Sequence, residues 1–226
     1  MKYGFIGFGN LAKAIYQGLK NEEGLAFAYF SKSNQNKEIQ SFKTLPELVY
    51  FSDVIWLCIK PQDLAQVLTD LKKISLKNKI IVSPVAGKST GFIEKYLGKK
   101  ETIIRIMPNL AIAYKKSVTA FFTNNKKPAI VKRVKEDLSK LGMVVELPEK
   151  HFDLFTAIFG SGPAFLLTIL RTLRNKIIKL NIADNKIDEL LIELITGTVT
   201  YLQENHKRNS IEDLIKNIAS KGGVTE

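Results

Sequence analysis

Residues 2–15 read KYGFIGFGNLAKAI, and the fold class follows from how that run divides. Residues 3–6 have the length and apolar content of a short buried strand. They lead directly into Gly7-Phe8-Gly9-Asn10-Leu11-Ala12, the G-x-G-x-x-A form of the dinucleotide fingerprint. Leu11, Ile15 and Leu19 then recur at the spacing of one helix face. Each small residue answers a steric need. Gly7 allows the tight turn out of the strand, Gly9 lets a pyrophosphate approach the backbone, and Ala12 permits close helix–strand packing. Free N–H groups and the positive end of the helix dipole would then hold the phosphates.

Working outward, residues 25–30 (LAFAYF) form a second strand. An acid normally stands about 20 residues past the glycines, where it bonds the adenosine 2′-hydroxyl. This chain has Ser31-Lys32-Ser33-Asn34 there, with no Asp or Glu between Glu23 and Glu38. A lysine among hydroxyls suits a 2′-phosphate that a carboxylate would repel, so NADP(H) is expected over NAD(H). Strands at 54–59, 80–83 and 102–107 alternate with helical patterns at 46–51, 64–71 and 92–97. That alternation is the signature of a doubly wound parallel sheet. Ligands of such sheets lie beyond the carboxyl ends of the strands. The fingerprint, Ser31 to Asn34, Lys60-Pro61-Gln62, Ala86-Gly87 and Pro108-Asn109 all fall at such exits, which makes them one candidate cleft.

Late strands at 118–122 and 143–146 are expected at the sheet edge, separated by a helix from Pro128 that Gly142 stops. Beyond Pro148 only helical periodicity remains, over 161–180, 186–204 and 211–219. The domain boundary is therefore placed near residues 148–152, giving a dinucleotide-binding domain at 1–150 and a helical domain at 151–226. Leu166, Leu167, Ile169, Leu170 and Leu173 cover more than one face of their helix, and Leu190, Leu191, Leu194 and Ile195 do the same in the next. Helices apolar over so wide an arc need partners on both sides, so dimerisation through this domain is expected.

Composition narrows the function classes. At 226 residues and 45% hydrophobic, the chain fits one large or two modest globular domains. No apolar run approaches the roughly 20 residues of a membrane span, and the first strand follows Met1 too closely for a leader, so a cytoplasmic protein is expected. The net charge of +12 is mostly lysine, dispersed from Lys2 to Lys221. No basic helix face carries interleaved aromatics, so no nucleic-acid partner is expected, and the field better serves anionic small molecules. The single Cys58 lies in VIWLCI, the setting of a buried, inert thiol. No metal-ligand spacing and no Ser/His/Asp arrangement appears. His151 sits at the domain junction and His206, in ENHKR, at a helix end.

Taken in order, GFIGFGN, IKPQ, RIMPN, FGSGPAF and SKGGVTE resemble the pyrroline-5-carboxylate reductase family, and the resemblance runs from Tyr3 to Glu226. It implies an N-terminal Rossmann-type domain, a C-terminal all-helical dimerisation domain, and reduction of a cyclic imine to L-proline with NADPH or NADH. Carried over by position, Gly7, Gly9, Asn10 and Leu11 hold the pyrophosphate, while Ser31 and Lys32 meet the adenosine ribose end. Lys60, Pro61, Ala86, Met107 and Asn109 line the nicotinamide ribose and ring. The loop Ser220-Lys221-Gly222-Gly223-Val224-Thr225 resembles the family's substrate loop. Ser220, Gly222 and Gly223 would take the substrate carboxylate on backbone N–H groups, and the Thr225 hydroxyl, the one catalytic candidate, would bond the imine nitrogen.

The chain departs from the family pattern at Leu110-Ala111, where Thr-Pro is usual, at Lys221, where proline is usual, and at Glu226, after which family members carry one more helix. Two other readings stay open. A β-hydroxyacid dehydrogenase relative would need a lysine early on the first long helix after the sheet, whereas its first basic residue is Arg171. A nucleotide-binding paralogue without turnover would keep the fold and the cofactor alone.

Overall fold

A computed structural model describes residues 1–31, 38–124 and 128–219. Strand β1 (Lys2–Ile6) enters helix α1 (Asn10–Leu19), followed by β2 (Ala26–Phe30) and a two-residue strand, β3 (Gln40–Ser41). Helix α2 (Leu45–Phe51) opens on a capping box between Thr44 and Glu47, with Pro46 in its first turn. The alternation continues through β4 (Val54–Leu57), α3 (Leu64–Leu71), β5 (Ile80–Ser83), α4 (Thr90–Leu97) and β6 (Thr102–Met107). After a 3₁₀ turn at Leu110–Tyr114 come β7 (Ser117–Thr123), α5 (Pro128–Ser139) and β8 (Gly142–Glu146).

Among the described residues these strands form one sheet in the order β3-β2-β1-β4-β5-β6-β7-β8. Every pairing is parallel except β6 with β7. The order in which strands are added therefore reverses between β1 and β4, the switch point at which doubly wound sheets bind dinucleotides. Successive strand residues feed opposite faces. Tyr3, Phe5, Val54, Trp56, Ile80 and Val82 join α1 and α5, while Ile6, Ile55, Leu57 and Ile81 join α2, α3 and α4. Both faces are covered, which explains the continuous apolar runs of β4 and β5.

Several sequence expectations shift. Helix α5 ends at Ser139, and Gly142 instead opens β8 at φ +135°. A Cβ there would lie 2.1 Å from the Ser117 carbonyl oxygen, so the glycine answers a close approach of two strands rather than a helix stop. Strand β4 stops at Leu57, not Ile59, although the Cys58 N–H still bonds the Ile6 carbonyl. The helical pattern expected from residue 161 begins earlier. A short α6 (Phe152–Phe155) runs through a π-helical turn (Thr156–Gly160) into α7 (Gly162–Ile177). By length and composition the continuous stretch Glu149–Leu180 could cross a membrane, which corrects the expectation that no segment could.

The chain resolves into two compact units, Met1–Pro163 and Ala164–Glu226. Phe152 and Phe155 pack into a small cluster with Met107 and Ala120 on the sheet. The second unit comprises most of α7, α8 (Asp184–Asn205) and α9 (Ile211–Ile218), whose N-terminus carries a capping box between Ser210 and Asp213. Its helices bury little within the chain. No α7 residue is buried, and α8 buries Ile187 and Leu191 alone.

Candidate active site

The turn between β1 and α1 has the geometry that its sequence requires. Gly7 adopts φ +82°, and a Cβ there would lie 2.4 Å from the Cys58 carbonyl oxygen. Only glycine makes this turn. Its N–H bonds the Phe30 carbonyl at 2.8 Å, tying the turn to the exit of β2. Phe8 is buried and stacks on Tyr29 at 4.7 Å, anchoring the turn from below. Gly9 is the N-cap of α1 and has no side chain to satisfy the helix N–H groups, while a Cβ built on it meets nothing within 4 Å. Ala12 is fully buried where the helix crosses the sheet. An uncapped helix start beside open space, at the switch point of the sheet, fits a pyrophosphate.

Further along the same sheet edge, Lys60 and Pro61 lie exposed at the exit of β4, with the Lys60 carbonyl accepting the Asp63 N–H at 3.0 Å. The exit of β5 passes through buried Pro84 and Val85 to exposed Ala86 and Gly87, the latter at φ +67°. At the exit of β6 the Met107 side chain is buried in the cluster with Phe152 and Phe155. Asn109 is fully engaged. Its Oδ1 accepts the Ala111 N–H at 3.0 Å, its Nδ2 donates to the Phe159 carbonyl at 2.9 Å, and its N–H donates to Ser117 Oγ. Leu110 is exposed. It helps line a shallow groove of about 430 Å³ beside Asn10, Lys13 and Tyr114. Ser31 and Leu11 are half-buried at their expected places, so the described members of the proposed cofactor set share one edge of the sheet. Lys32, Ser220, Gly222, Gly223 and Thr225 lie outside the described residues.

A charged cluster that sequence reasoning did not identify lies on β6. Arg105, 4% exposed in the middle of β6, contacts Glu149 at 3.1 Å and Asp153 at 3.8 Å, and lies 4.5 Å over the Phe152 ring. The signal that could have raised it is an arginine inside the apolar run TIIRIM, because a buried charge requires a partner. His151 is exposed, and His206 caps α8 at the surface with Nδ1 2.8 Å from the Gln203 carbonyl. Arg171 is exposed on α7. Among the described residues no group of His, Cys, Asp and Glu could hold a metal. Cys58 is half-buried as a residue, yet burial of its sulfur pushes the thiol well above its ordinary pKa, which keeps it protonated and unreactive.

Comparison with known proteins agrees with this geometry. The family model described as pyrroline-5-carboxylate reductase dimerisation matches residues 149–226, and that described as NADP oxidoreductase, coenzyme F420-dependent, matches residues 2–87. Curated pyrroline-5-carboxylate reductases of Staphylococcus epidermidis and Staphylococcus aureus are each 31% identical to this chain, over all of it and 87% of their own length. The chain belongs to the pyrroline-5-carboxylate reductase family. Solved members superpose closely. The Plasmodium falciparum pyrroline carboxylate reductase, with NADP bound, has a TM-score of 0.93 at 26% identity, covering all of this chain and 86% of that one. The 1-pyrroline-5-carboxylate reductase of Streptococcus pyogenes has a TM-score of 0.90 at 28% identity, with 100% and 87% covered.

Proposed function

We propose that this chain reduces 1-pyrroline-5-carboxylate to L-proline with NADPH as hydride donor, accepting NADH less well, as the last step of proline biosynthesis. The observation that carries the reading is the uncapped α1 start behind Gly7 and Gly9, in a chain 31% identical to enzymes of that name. Bound NADPH would supply hydride from nicotinamide C4 to the imine carbon, and the protein supplies position and electrostatics. The first N–H groups of α1, with Gly7, Gly9, Asn10 and Leu11, hold the pyrophosphate. Ser31 and Lys32 meet the ribose and its 2′-phosphate, and the absence of acid between Glu23 and Glu38 removes the repulsion that would disfavour that phosphate.

Lys60, Pro61, Ala86, Met107 and Asn109 line the nicotinamide end. Met107, whose side chain is buried, contributes backbone there, and Asn109 shapes the strand exit through the bonds its side chain makes. Ser220, Gly222 and Gly223 hold the substrate carboxylate, and the Thr225 hydroxyl orients the imine nitrogen. A protonated imine needs no strong acid, in accord with the remote histidines. Residues 1–150 act as the cofactor domain and 151–226 as the helical dimerisation and substrate domain of a cytoplasmic homodimer. Neither nucleic acid nor membrane is a partner. The net charge of +12 attracts two anionic reactants.

Steady-state oxidation of NADPH by pyrroline-5-carboxylate tests the reading. Turnover that depends on the imine, with NADPH favoured over NADH, is expected. Binding of NADPH without turnover would establish the non-catalytic paralogue instead. Gly9→Ala sharpens the assay. Its Cβ meets no protein atom, so the thermal midpoint should hold while NADPH binding weakens at least about tenfold. Unchanged NADPH affinity would remove the pyrophosphate from this turn.

A further inference from the structure

We propose that Glu149 and Arg105 are positioning residues for hydride transfer, fixing the loop between β5 and α4 and through it the nicotinamide end of the cofactor. The inference rests on the functional reading above for the reaction, and on geometry for the rest. Glu149 Oε1 accepts the Thr90 N–H at 2.7 Å and an Arg105 Nη1–H at 3.1 Å, while Oε2 accepts the Thr90 hydroxyl at 2.9 Å. A buried arginine in need of a counter-charge would be served by the ion pair alone. Here the same carboxylate also takes both donors of Thr90, the first residue of α4.

The loop that Thr90 closes is anchored at its two ends and open at its crest. Its crest, Ala86 and Gly87, is exposed, and a Cβ on Gly87 meets nothing within 4 Å. Before the crest, Val85 is buried and its N–H reaches Ser83 Oγ. After it, Ser89 caps its own helix through the Phe92 N–H, and Lys88 lies over the Phe92 ring. Both contacts join the loop only to the first turn of α4. The Thr90–Glu149 bonds tie the first residue of α4 to β6 through Arg105, while buried Ile93 and the Glu94–Asn124 bond hold the helix further from the loop. Glu149 therefore sets where the crest stands, and the crest lies at the strand exit assigned to the nicotinamide. Displacement of a reacting group by about 1 Å costs on the order of a hundredfold in rate.

The experiment compares the intact chain with Glu149→Gln and Thr90→Val, using NADPH and its C4-deuterated form. In Glu149→Gln, kcat should fall about ten- to a hundredfold and the isotope effect on kcat should rise as hydride transfer becomes limiting. Thr90→Val should move both in the same direction by less, and it carries the test if Glu149→Gln does not fold. The NADPH dissociation constant should change by less than about threefold, since the turn at Gly7 to Ala12 is untouched. A loss of activity that only tracks the folded fraction, with the isotope effect unchanged, overturns the proposal, as does parental kcat. If the parent chain itself fails to reduce the imine, the functional reading falls separately. Hydrogen exchange then decides the positional claim: faster exchange over residues 84–90 in the variants, with 7–12 unaltered, supports it, and parental exchange overturns it.

Discussion

Asp137, 1% exposed on α5, accepts the hydroxyl of Tyr3 at 2.6 Å, and Lys140 and Arg133 approach the same carboxylate at 3.3 and 3.5 Å. Burial first, then the Asp137 carboxylate, pushes the Tyr3 phenol far above its ordinary range. The sign for stability follows. Above about pH 10 the unfolded phenol loses its proton and the folded one keeps it, so stability falls with pH by up to about 1.4 kcal/mol per unit. Cys58, raised by burial, adds the same sign from about pH 8.5 upward. Tyr3→Phe should cost about 1–2 kcal/mol at neutral pH and flatten the alkaline limb by one proton. Urea unfolding across the alkaline range measures both, and an unchanged limb would contradict this account. The need for such partners can be read from sequence, since a tyrosine in a buried strand and Arg105 in TIIRIM each require one. Their identities cannot, because Asp137 lies 134 residues from Tyr3 and Glu149 lies 44 from Arg105, brought near only by folding.

Elements were more legible than residues. Continuous apolar runs and helical spacing located the longer strands and helices of the first 107 positions to within a residue or two, because both faces of each strand are buried by regular neighbours. Elements that carry no period were not foreseen. β3 is two residues long, Leu110–Tyr114 is a 3₁₀ turn held by the Asn109 side chain, and Thr156–Gly160 is a π-helical turn. Glycine illustrates the difference between pattern and cause. Gly142 looks like a helix stop in sequence, yet in the fold it permits β8 to approach Ser117. Gly142→Ala, at φ +135° with its Cβ 2.1 Å from a carbonyl oxygen, should destabilise by more than about 2 kcal/mol. Gly9→Ala should leave the thermal midpoint unmoved. Two equal midpoints in calorimetry would show that the β7–β8 contact does not constrain the chain as described.

At the scale of the molecule, the candidate cofactor loops could be grouped from sequence because the exits of parallel strands lie on one side of the sheet. The helical region was legible only as something incomplete. Phe165, Leu166 and Leu167 are each more than 60% exposed within one chain, and they lie in the stretch Glu149–Leu180 that is long and apolar enough to cross a membrane. Contiguous exposure of this kind marks an interface, and the dimerisation model of the family covers the same residues. The chain should sediment as a dimer, and Leu166→Glu should shift it towards monomer. A parent that sediments as a stable monomer would remove the explanation for these helices. The account as a whole rests on one transfer, hydride from the cofactor to the imine carbon of the five-membered ring. Mass spectrometry of proline formed with C4-deuterated NADPH observes that transfer directly. L-proline carrying one deuterium at the carbon formerly double-bonded to nitrogen is the predicted product, and absence of labelled proline while NADPH binds would contradict the account.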